Sequence, residues 1–186
     1  SDNSSNLAGR IYKGKQLTID DTHQQFRKMK KVIIESANEY INAYKQYVPH
    51  QLPEKWNLHF HHVWSVYQFE GDYNPIHYHD STYQSTLSGF IHMSVPEGVA
   101  GAWDQTAEPS ATTRDIDGTT ELVWDCNTPK SALDFRFPGN MFIMPEVGTY
   151  YMFPSWLNHA VYPYKGEGCR VSISWNIGVE WIWPND

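Results

Sequence analysis

The sequence predicts a mainly β protein, a sandwich or jelly roll, with one α-helix near the N-terminus packed against a sheet. After residue 56, short segments rich in β-branched and aromatic residues alternate with Gly, Pro or Asn at near-regular spacing, which is typical of these folds. Aromatic residues make up 15% of the 186 residues and charged residues 19%. This balance favours a β-rich fold with a lined cleft over a helical bundle.

The chain length fits one domain, residues 1–186, with a single hydrophobic core. Residues 1–50 are predicted as an N-terminal arm followed by the helix, and residues 56–178 as the β core. From Asp20 to about Tyr47, apolar residues recur every three or four positions, which predicts an amphipathic helix. Asp20 and Asp21 suit its first turn, and Pro49 ends it.

The β segments follow in order. Residues 56–71 predict a strand that ends at the turn GDYNP, and residues 74–98 predict two short strands separated by a polar turn. Residues 100–120 show no period and predict a long insertion loop. The remaining strands are predicted at ELVWD, ALDFRF, GNMFIMPEVG, TYYMF, HAVYPY and RVSISWNI.

Composition excludes several functions. A net charge of -7 argues against a nucleic-acid or anionic-membrane surface. No apolar run approaches the ~18 residues that span a bilayer, and the first residues are too polar for a signal peptide. Cys126 and Cys169 lie in different segments and support neither a disulfide framework nor a cysteine zinc site. We therefore expect two free thiols and a cytoplasmic location.

A pair of histidines marks the first candidate site. His77 and His79 are two residues apart, so on a strand they share a face and can offer two ligands to one ion. Neutral imidazoles suit Fe(II), Zn or Cu. Asp80 follows and faces the other way unless the strand ends there. Two ordinary strand histidines remain the alternative interpretation of this pair.

Residues 153–177 hold the second candidate site. We interpret them as two antiparallel strands joined by the turn YKGEG, with His159 on the first strand and Arg170 and Ser172 across the ladder on the second. Arg170 and Ser172 share a face and could together hold a carboxylate, which an arginine fork matches well. Histidines 59, 61 and 62 are not included, because strand histidines near a domain edge are often hydrogen-bonded or exposed.

Two separated motifs agree with one family in order and spacing. The first is H-x-H at 77–79 followed by Ser-Gly at 88–89, and the second is FPS-x-L-x-H-x-V-x-P at 153–163 followed by R-x-S-x-S-x-N at 170–176. The pattern resembles the 2-oxoglutarate/Fe(II)-dependent oxygenases. More closely, it is similar to a group of them from bacteria, marine phages and metagenomes that is related to prolyl hydroxylases.

The resemblance implies a double-stranded β-helix, a cupin-like jelly roll, with Fe(II) at one mouth. His77, His79 and His159 then fill the metal positions, Arg170 pairs with the C5 carboxylate of 2-oxoglutarate, and Ser172 assists. The implied activity is a hydroxylase that couples decarboxylation of 2-oxoglutarate to hydroxylation of a substrate C–H bond. A phage-encoded member would work in the host cytoplasm.

One position differs from the larger superfamily, and one further candidate residue lies outside the matched motifs. The superfamily has a carboxylate where this chain has His79, and Asp80 becomes the alternative ligand if a bulge turns it inward. Tyr67 lies one strand upstream, where prolyl-hydroxylase-like enzymes can place a hydroxyl near the acid, and is a further candidate cofactor-binding residue.

Other functions and the partners stay open at this point. A three-histidine cupin-type dioxygenase that does not use 2-oxoglutarate would also need the histidines, but not the Arg170 and Ser172 pair. A jelly-roll carbohydrate-binding module would use exposed Trp and leave the histidines without a common metal. The substrate is a small molecule or a peptide, with a prolyl residue as the family-level expectation. Sheet edges and the N-terminal arm could support a homodimer.

Overall fold

The computed structural model describes residues 2, 9, 11–79, 86–100, 116–125 and 139–184. Some predicted features lie outside these ranges: Asp80, residues 101–115 of the insertion loop, the strand ALDFRF and Cys126. The elements in chain order are β1 (Lys15–Thr18), α1 (Phe26–Tyr47), β2 (Lys55–Gln68), β3 (Asn74–His77), β4 (Leu87–Ser94), α2 (Glu97–Ala100), β5 (Thr120–Val123), β6 (Asn140–Ile143), β7 (Tyr150–Pro154), β8 (Asn158–Val161) and β9 (Arg170–Ile182).

The strands form two sheets. The large sheet has the order β1-β2-β9-β4-β7 and the small sheet the order β3-β8-β5-β6, with antiparallel pairing between neighbours. The predicted mainly β fold with one long N-terminal helix packed on a sheet is confirmed. Neither helix in the described ranges is long and apolar enough to cross a membrane.

Helix α1 begins later than the sequence pattern predicts. Asp20 does not lie in its first turn, because its carboxylate accepts hydrogen bonds from the backbone N–H and the hydroxyl of Thr22, at 2.9 and 2.6 Å. Such a local turn competes with helix formation. Asp21 also precedes the helix and forms an ion pair with Lys30 at 2.5 Å.

One core lies between α1 and the outer face of the large sheet. Its buried members are Phe26, Ile33, Ala37, Val63, Leu87, Trp175 and Ile177. The Trp175 indole lies across Gly89 of β4, where a Cβ would come within 2.6 Å of the Trp175 Cζ2 atom. Glycine at position 89 therefore makes room for the largest fully buried side chain of the chain's described part.

The prediction of a single hydrophobic core is wrong, because a second core lies between the two sheets, with a cavity beside it. Its buried members are Phe90, Leu122, Ile143, Phe153 and Leu157. Alternation along β9 directs Arg170, Ser172, Ser174 and Asn176 to this inner side, while Trp175 and Ile177 face the helix. The strand thus carries an apolar outer face and a polar inner face.

The prediction that residues 153–177 form two strands of one antiparallel ladder is wrong. Strand β8 belongs to the small sheet and β9 to the large sheet. In the connection between them, Tyr164 is buried and its hydroxyl donates to the Gln68 carbonyl oxygen at 2.8 Å, with the Gly168 carbonyl oxygen 3.0 Å away. This contact fixes the connection to the large sheet, so the chain crosses from one sheet to the other. His159 and Arg170 consequently line opposite walls of one interior.

Candidate metal and carboxylate site

A cavity of about 490 Å³ separates the two sheets. The large sheet contributes residues of β2, β4 and β9 to its wall, and the small sheet contributes residues of β3, β5 and β8. All three predicted metal ligands and both residues of the predicted carboxylate pair, Arg170 and Ser172, line it. The structure therefore brings together residues that are up to 95 positions apart in the sequence, from His77 to Ser172.

The three histidines form one cluster at the inner side of the small sheet. His77 and His159 lie directly opposite each other on β3 and β8, and their ring centroids are 4.2 Å apart. His79 lies just beyond the end of β3, with its ring 5.0 Å from that of His159 and 5.6 Å from that of His77. One ligand atom from each ring lies within 4.8 Å of the others. The three rings are therefore close enough to share one ion.

Each histidine uses Nδ1 for a hydrogen bond to an oxygen acceptor. Nδ1 of His77 donates to the Pro75 carbonyl at 2.7 Å, and Nδ1 of His159 donates to the Leu157 carbonyl at 3.0 Å. Nδ1 of His79 lies 2.6 Å from Oδ1 of Asn176. These partners fix the tautomer with the proton on Nδ1, so the Nε2 lone pair of each ring is left for a metal.

The His79 ring is held by a hydrogen-bond network of several side chains. Oδ1 of Asn176 also accepts the Ser88 hydroxyl at 2.8 Å, and the Ser88 oxygen lies 3.0 Å from both Nδ1 of His79 and Oγ of Ser155. The His79 backbone N–H donates to the Ser155 carbonyl at 2.9 Å. The ring of Trp64 packs against the imidazole, with centroids 5.7 Å apart. The network holds the ring although it lies outside the β-ladder.

Burial keeps the histidines neutral. It lowers the pKa of His159 to about 3, with a further lowering from the nearby His77. Burial also lowers the pKa of His77 and the pKa of His79. Neutral imidazole is the form that binds metal ions, so the cluster is ready to bind at neutral pH without losing protons. In the ligand-free arrangement, the Asn74 amide nitrogen lies 3.2 Å from Nε2 of His77, a contact that a metal would replace.

Arg170 is fully buried at the other part of the cavity wall. Its Nε and Nη2 donate to the Gln68 side-chain oxygen at 3.2 and 2.9 Å, Nη2 donates to the Tyr162 carbonyl at 3.3 Å, and Nη1 donates to the Gly118 carbonyl. Burial lowers the pKa of Arg170 to about 10, so the guanidinium is still charged at neutral pH. Among the described residues it forms no ion pair.

Tyr67 is the predicted site residue that the structure does not bring into the cavity. Its neighbours Val66 and Gln68 line the cavity, and Tyr67 does not. Successive residues of a strand point to opposite faces, and Tyr67 pairs with Val171, which also lies outside the cavity wall. Its predicted contact with the acid is therefore not supported by its place in the fold. Asp80, the alternative to His79, lies outside the described residues.

Sequence reasoning missed several polar residues around the site. Asn176, Ser88 and Ser155 support His79, Gln68 accepts two hydrogen bonds from Arg170, and His92 of β4 lines the cavity opposite Ser172. Asn176, Ser88 and Ser155 occupy matched positions of the two motifs, so the motifs already contained the signal that could have found them. Nothing in the sequence marks His92, because only the tertiary structure shows its burial.

Comparisons with known proteins identify the family. The sequence model described as "Putative 2OG-Fe(II) oxygenase" matches residues 62–176, well over half of the chain. A search among curated proteins finds no match. The match spans His77, His79, His159 and the Arg170–Asn176 segment.

Solved structures show the same fold. The chain is similar to the viral collagen prolyl hydroxylase of Paramecium Bursaria Chlorella virus-1 in complex with 2OG, at 16% identity and a TM-score of 0.52, over 94% of this chain and 82% of that one. A prolyl-4-hydroxylase from Pseudomonas putida is similar at 12% identity and a TM-score of 0.50, over 92% and 78%. HygX from Streptomyces hygroscopicus, bound to nickel, 2-oxoglutarate and hygromycin B, is similar at 10% identity and a TM-score of 0.53, over 94% and 74%.

These identities are low and establish the jelly-roll fold, whereas the family match establishes the kind of protein. The predicted double-stranded β-helix and the predicted cofactors agree with both findings. The chain belongs to the 2OG-Fe(II) oxygenase family, and it is an oxygenase that depends on Fe(II) and 2-oxoglutarate.

Proposed function

We propose that His77, His79 and His159 hold Fe(II) through their Nε2 atoms and that Arg170, with Ser172 beside it, binds the far carboxylate of 2-oxoglutarate. The reaction would consume one O2 and one 2-oxoglutarate, convert a substrate C–H bond to C–OH, and release succinate and CO2. One observation carries the proposal. A single cavity is lined by three histidines with Nε2 available and by a buried guanidinium that has no ion pair among the described residues.

The metal end of the cavity supports this assignment through ligand orientation. Bound Fe(II) supplies the redox chemistry that activates O2 for attack on the substrate. The chain's own contribution is to hold three rings with the proton on Nδ1, by acceptors that lie within 3.0 Å of it. Phe153 packs against the His159 ring at 5.1 Å between centroids and keeps water from that side.

The end of the cavity at Arg170 supports the proposed binding of 2-oxoglutarate through its charge. A buried guanidinium that no carboxylate contacts directly is destabilising, even though the buried Asp72 nearby offsets part of its charge. A carboxylate is the ligand that its geometry matches best, so an acid that enters the cavity would supply a negative charge in direct contact with it. This feature favours a 2-oxoglutarate enzyme over a three-histidine dioxygenase without that co-substrate, since such an enzyme has no use for a buried arginine in the same cavity.

The second metal ligand is a proposal with a defined alternative. We assign His79, because its ring lies in the histidine cluster and its Nδ1 is held by Asn176. The test is the iron content of His79→Ala compared with that of Asp80→Ala, each measured after anaerobic loading and desalting. An empty site in Asp80→Ala together with a filled site in His79→Ala would contradict the assignment.

The substrate is proposed as a small molecule or a peptide that enters beside Tyr78. This side chain lines the cavity and is 57% exposed, so the cavity opens next to the metal end. Two of the similar structures are named as prolyl hydroxylases, which makes a prolyl peptide the first substrate to test. A proline-rich peptide and a free-proline sample should be compared by succinate formation and by a mass gain of one oxygen atom.

The cellular location and the oligomeric state are also part of the proposal. We infer a cytoplasmic enzyme, because Cys169 is a free thiol and Fe(II) persists in a reducing compartment. A homodimer is the expected assembly if sheet edges pair between two copies. Light scattering after size-exclusion chromatography measures the mass directly, and a monomer mass at micromolar concentration would contradict the dimer.

The central experiment tests the acid anchor. Anaerobic Fe(II) with 2-oxoglutarate should give the weak visible charge-transfer band of a chelate, and Arg170→Ala should weaken binding of the acid severely. Arg27→Ala, on the exposed face of α1, is the matched control and should behave as the unaltered protein. An unchanged chelate titration in Arg170→Ala would refute the anchoring role, provided that its circular dichroism shows a folded protein.

A further inference from the structure

His92 is a buried histidine that the proposed site does not yet use. It lies on β4 directly opposite Ser172 of β9, lines the cavity and is only 3% exposed. Neither of its ring nitrogens has a hydrogen-bond partner among the described residues. The only aromatic ring packed on it is Phe90, at 5.3 Å between centroids within the described ranges. Buried polar groups without partners destabilise a protein, so this one requires an explanation.

Arg170 leaves room for a second donor. A guanidinium has five N–H groups that can donate. Four of them already donate to protein oxygens of Gln68, Tyr162 and Gly118. One N–H is left for a ligand in this arrangement. A carboxylate offers two oxygens and about four lone-pair sites. An acid bound here therefore needs donors besides Arg170 and the neighbouring Ser172 from residues that line the same part of the cavity.

We propose that His92 donates a ring N–H to the far carboxylate of 2-oxoglutarate and, together with Arg170, selects keto acids that carry a second carboxylate. The inference rests on the proposed binding of this acid at Arg170. Burial and the nearby Arg170 charge lower the pKa of His92 to about 4. The side chain is therefore a neutral donor at pH 7 and adds no second positive charge to the pocket.

The test compares two keto acids in Mn(II)-loaded protein by titration calorimetry. One is 2-oxoglutarate, and the other is 2-oxopentanoate, which keeps the keto acid group but has a methyl group in place of the far carboxylate. His92→Phe keeps a planar ring and removes the donor, while His92→Gln keeps a donor. His61→Phe is the matched control, because His61 lies on β2 and does not line the cavity.

A hydrogen bond to a charged group is worth enough for a loss of about 10- to 100-fold in affinity. We expect this loss for 2-oxoglutarate in His92→Phe, a smaller loss in His92→Gln, and less than a twofold change for 2-oxopentanoate in either variant. Ligand-free His92→Phe should unfold at the same or a higher temperature than the unaltered protein, because two unpartnered nitrogens are removed.

Three outcomes would overturn the inference: unchanged affinity for 2-oxoglutarate in His92→Phe, an equal loss for both acids, or the same loss in His61→Phe. If His92→Phe does not fold, the comparison of the two acids in His92→Leu, which also removes the donor, decides in the same way. Failure of the proposed function looks different. In that case the unaltered protein itself would not distinguish the two acids, and Arg170→Ala would change neither affinity.

Discussion

Replacing Asn176 with alanine should weaken metal binding although Asn176 is not a proposed metal ligand. Its Oδ1 accepts two hydrogen bonds at one buried point, from Nδ1 of His79 at 2.6 Å and from the Ser88 hydroxyl at 2.8 Å. Loss of a partner that orients a ligating histidine typically costs 10- to 100-fold in metal affinity. The Ser88 oxygen lies 3.0 Å from the same Nδ1 and can take over as acceptor. We therefore expect about a tenfold loss in Asn176→Ala and about a hundredfold loss when Ser88→Ala is added.

Replacing Asn176 with aspartate, by contrast, should not lower the metal affinity. Asn176→Asp keeps the shape and the acceptor oxygen, and it places a negative charge against the Nδ1–H of His79. A carboxylate partner makes the imidazole a more basic ligand, so metal affinity should equal or exceed that of the unaltered protein. Asn57→Ala is the control, because Asn57 bonds the exposed Glu180 at 3.1 Å and lies outside the cavity wall.

The assay is anaerobic competition for Fe(II) against a chromophoric chelator, with urea unfolding of the metal-free proteins measured in parallel. The stability loss of Asn176→Ala should be about 1–3 kcal/mol, since buried donors lose their acceptor. Unaltered Fe(II) affinity in the Asn176 and Ser88 double variant would refute the reasoning, because it would show that His79 needs no support to bind. The same refutation follows if Asn57→Ala loses as much affinity as Asn176→Ala.

Three further predictions follow from the geometry. Gly89→Ala should lower the urea midpoint by the equivalent of about 1–3 kcal/mol, because its Cβ would lie 2.6 Å from Trp175, whereas Ser94→Ala at the exposed end of the strand should not. Metal-free protein should lose stability as pH falls from 6.5 towards 4, because His92 takes up a proton in the unfolded state but not in the folded state, where its pKa is about 4. In urea titrations, His92→Phe should remove about 1.4 kcal/mol per pH unit from this loss of stability. Parallel plots of unfolding free energy against pH for the two proteins would contradict this. Mn(II) at about 100 times its Kd for the unaltered protein should add about 2.7 kcal/mol to the free energy of unfolding. An equal gain in His159→Ala at the same Mn(II) concentration would exclude His159 as a ligand.

Local spacing predicted the inner face of β9 well. Arg170 and Ser172 share a face because strand residues alternate, and both line the cavity as this rule requires. The same rule applied two steps further would have placed Ser174 and Asn176 there. The position of Tyr67 could not be read in this way, because a register shift between Phe60 and His62 determines which residues of β2 face inward.

Sheet membership could not be predicted from the sequence. The turn between β8 and β9 has the same residue types whether the flanking strands pair or separate, and the buried Tyr164 decides the outcome through its contact with the Gln68 carbonyl. His79 likewise shares a side with His77, although β3 ends before it. A side-chain network, rather than the pleat of a strand, holds it there.

The charges of the described site explain why metal and acid belong together. The three proposed histidine ligands bring no negative charge to an ion, and Arg170 adds a positive charge that no described carboxylate contacts directly and that the nearby buried Asp72 offsets only in part. An Fe(II) ion and the guanidinium together carry three positive charges, and 2-oxoglutarate brings two negative ones. Each partner therefore lowers the electrostatic cost of the other, and such a coupling of free energies acts in both directions. A carboxylate ligand in place of His79 would already neutralise part of the metal charge, so we expect stronger coupling if the neutral His79 is the second ligand, as proposed.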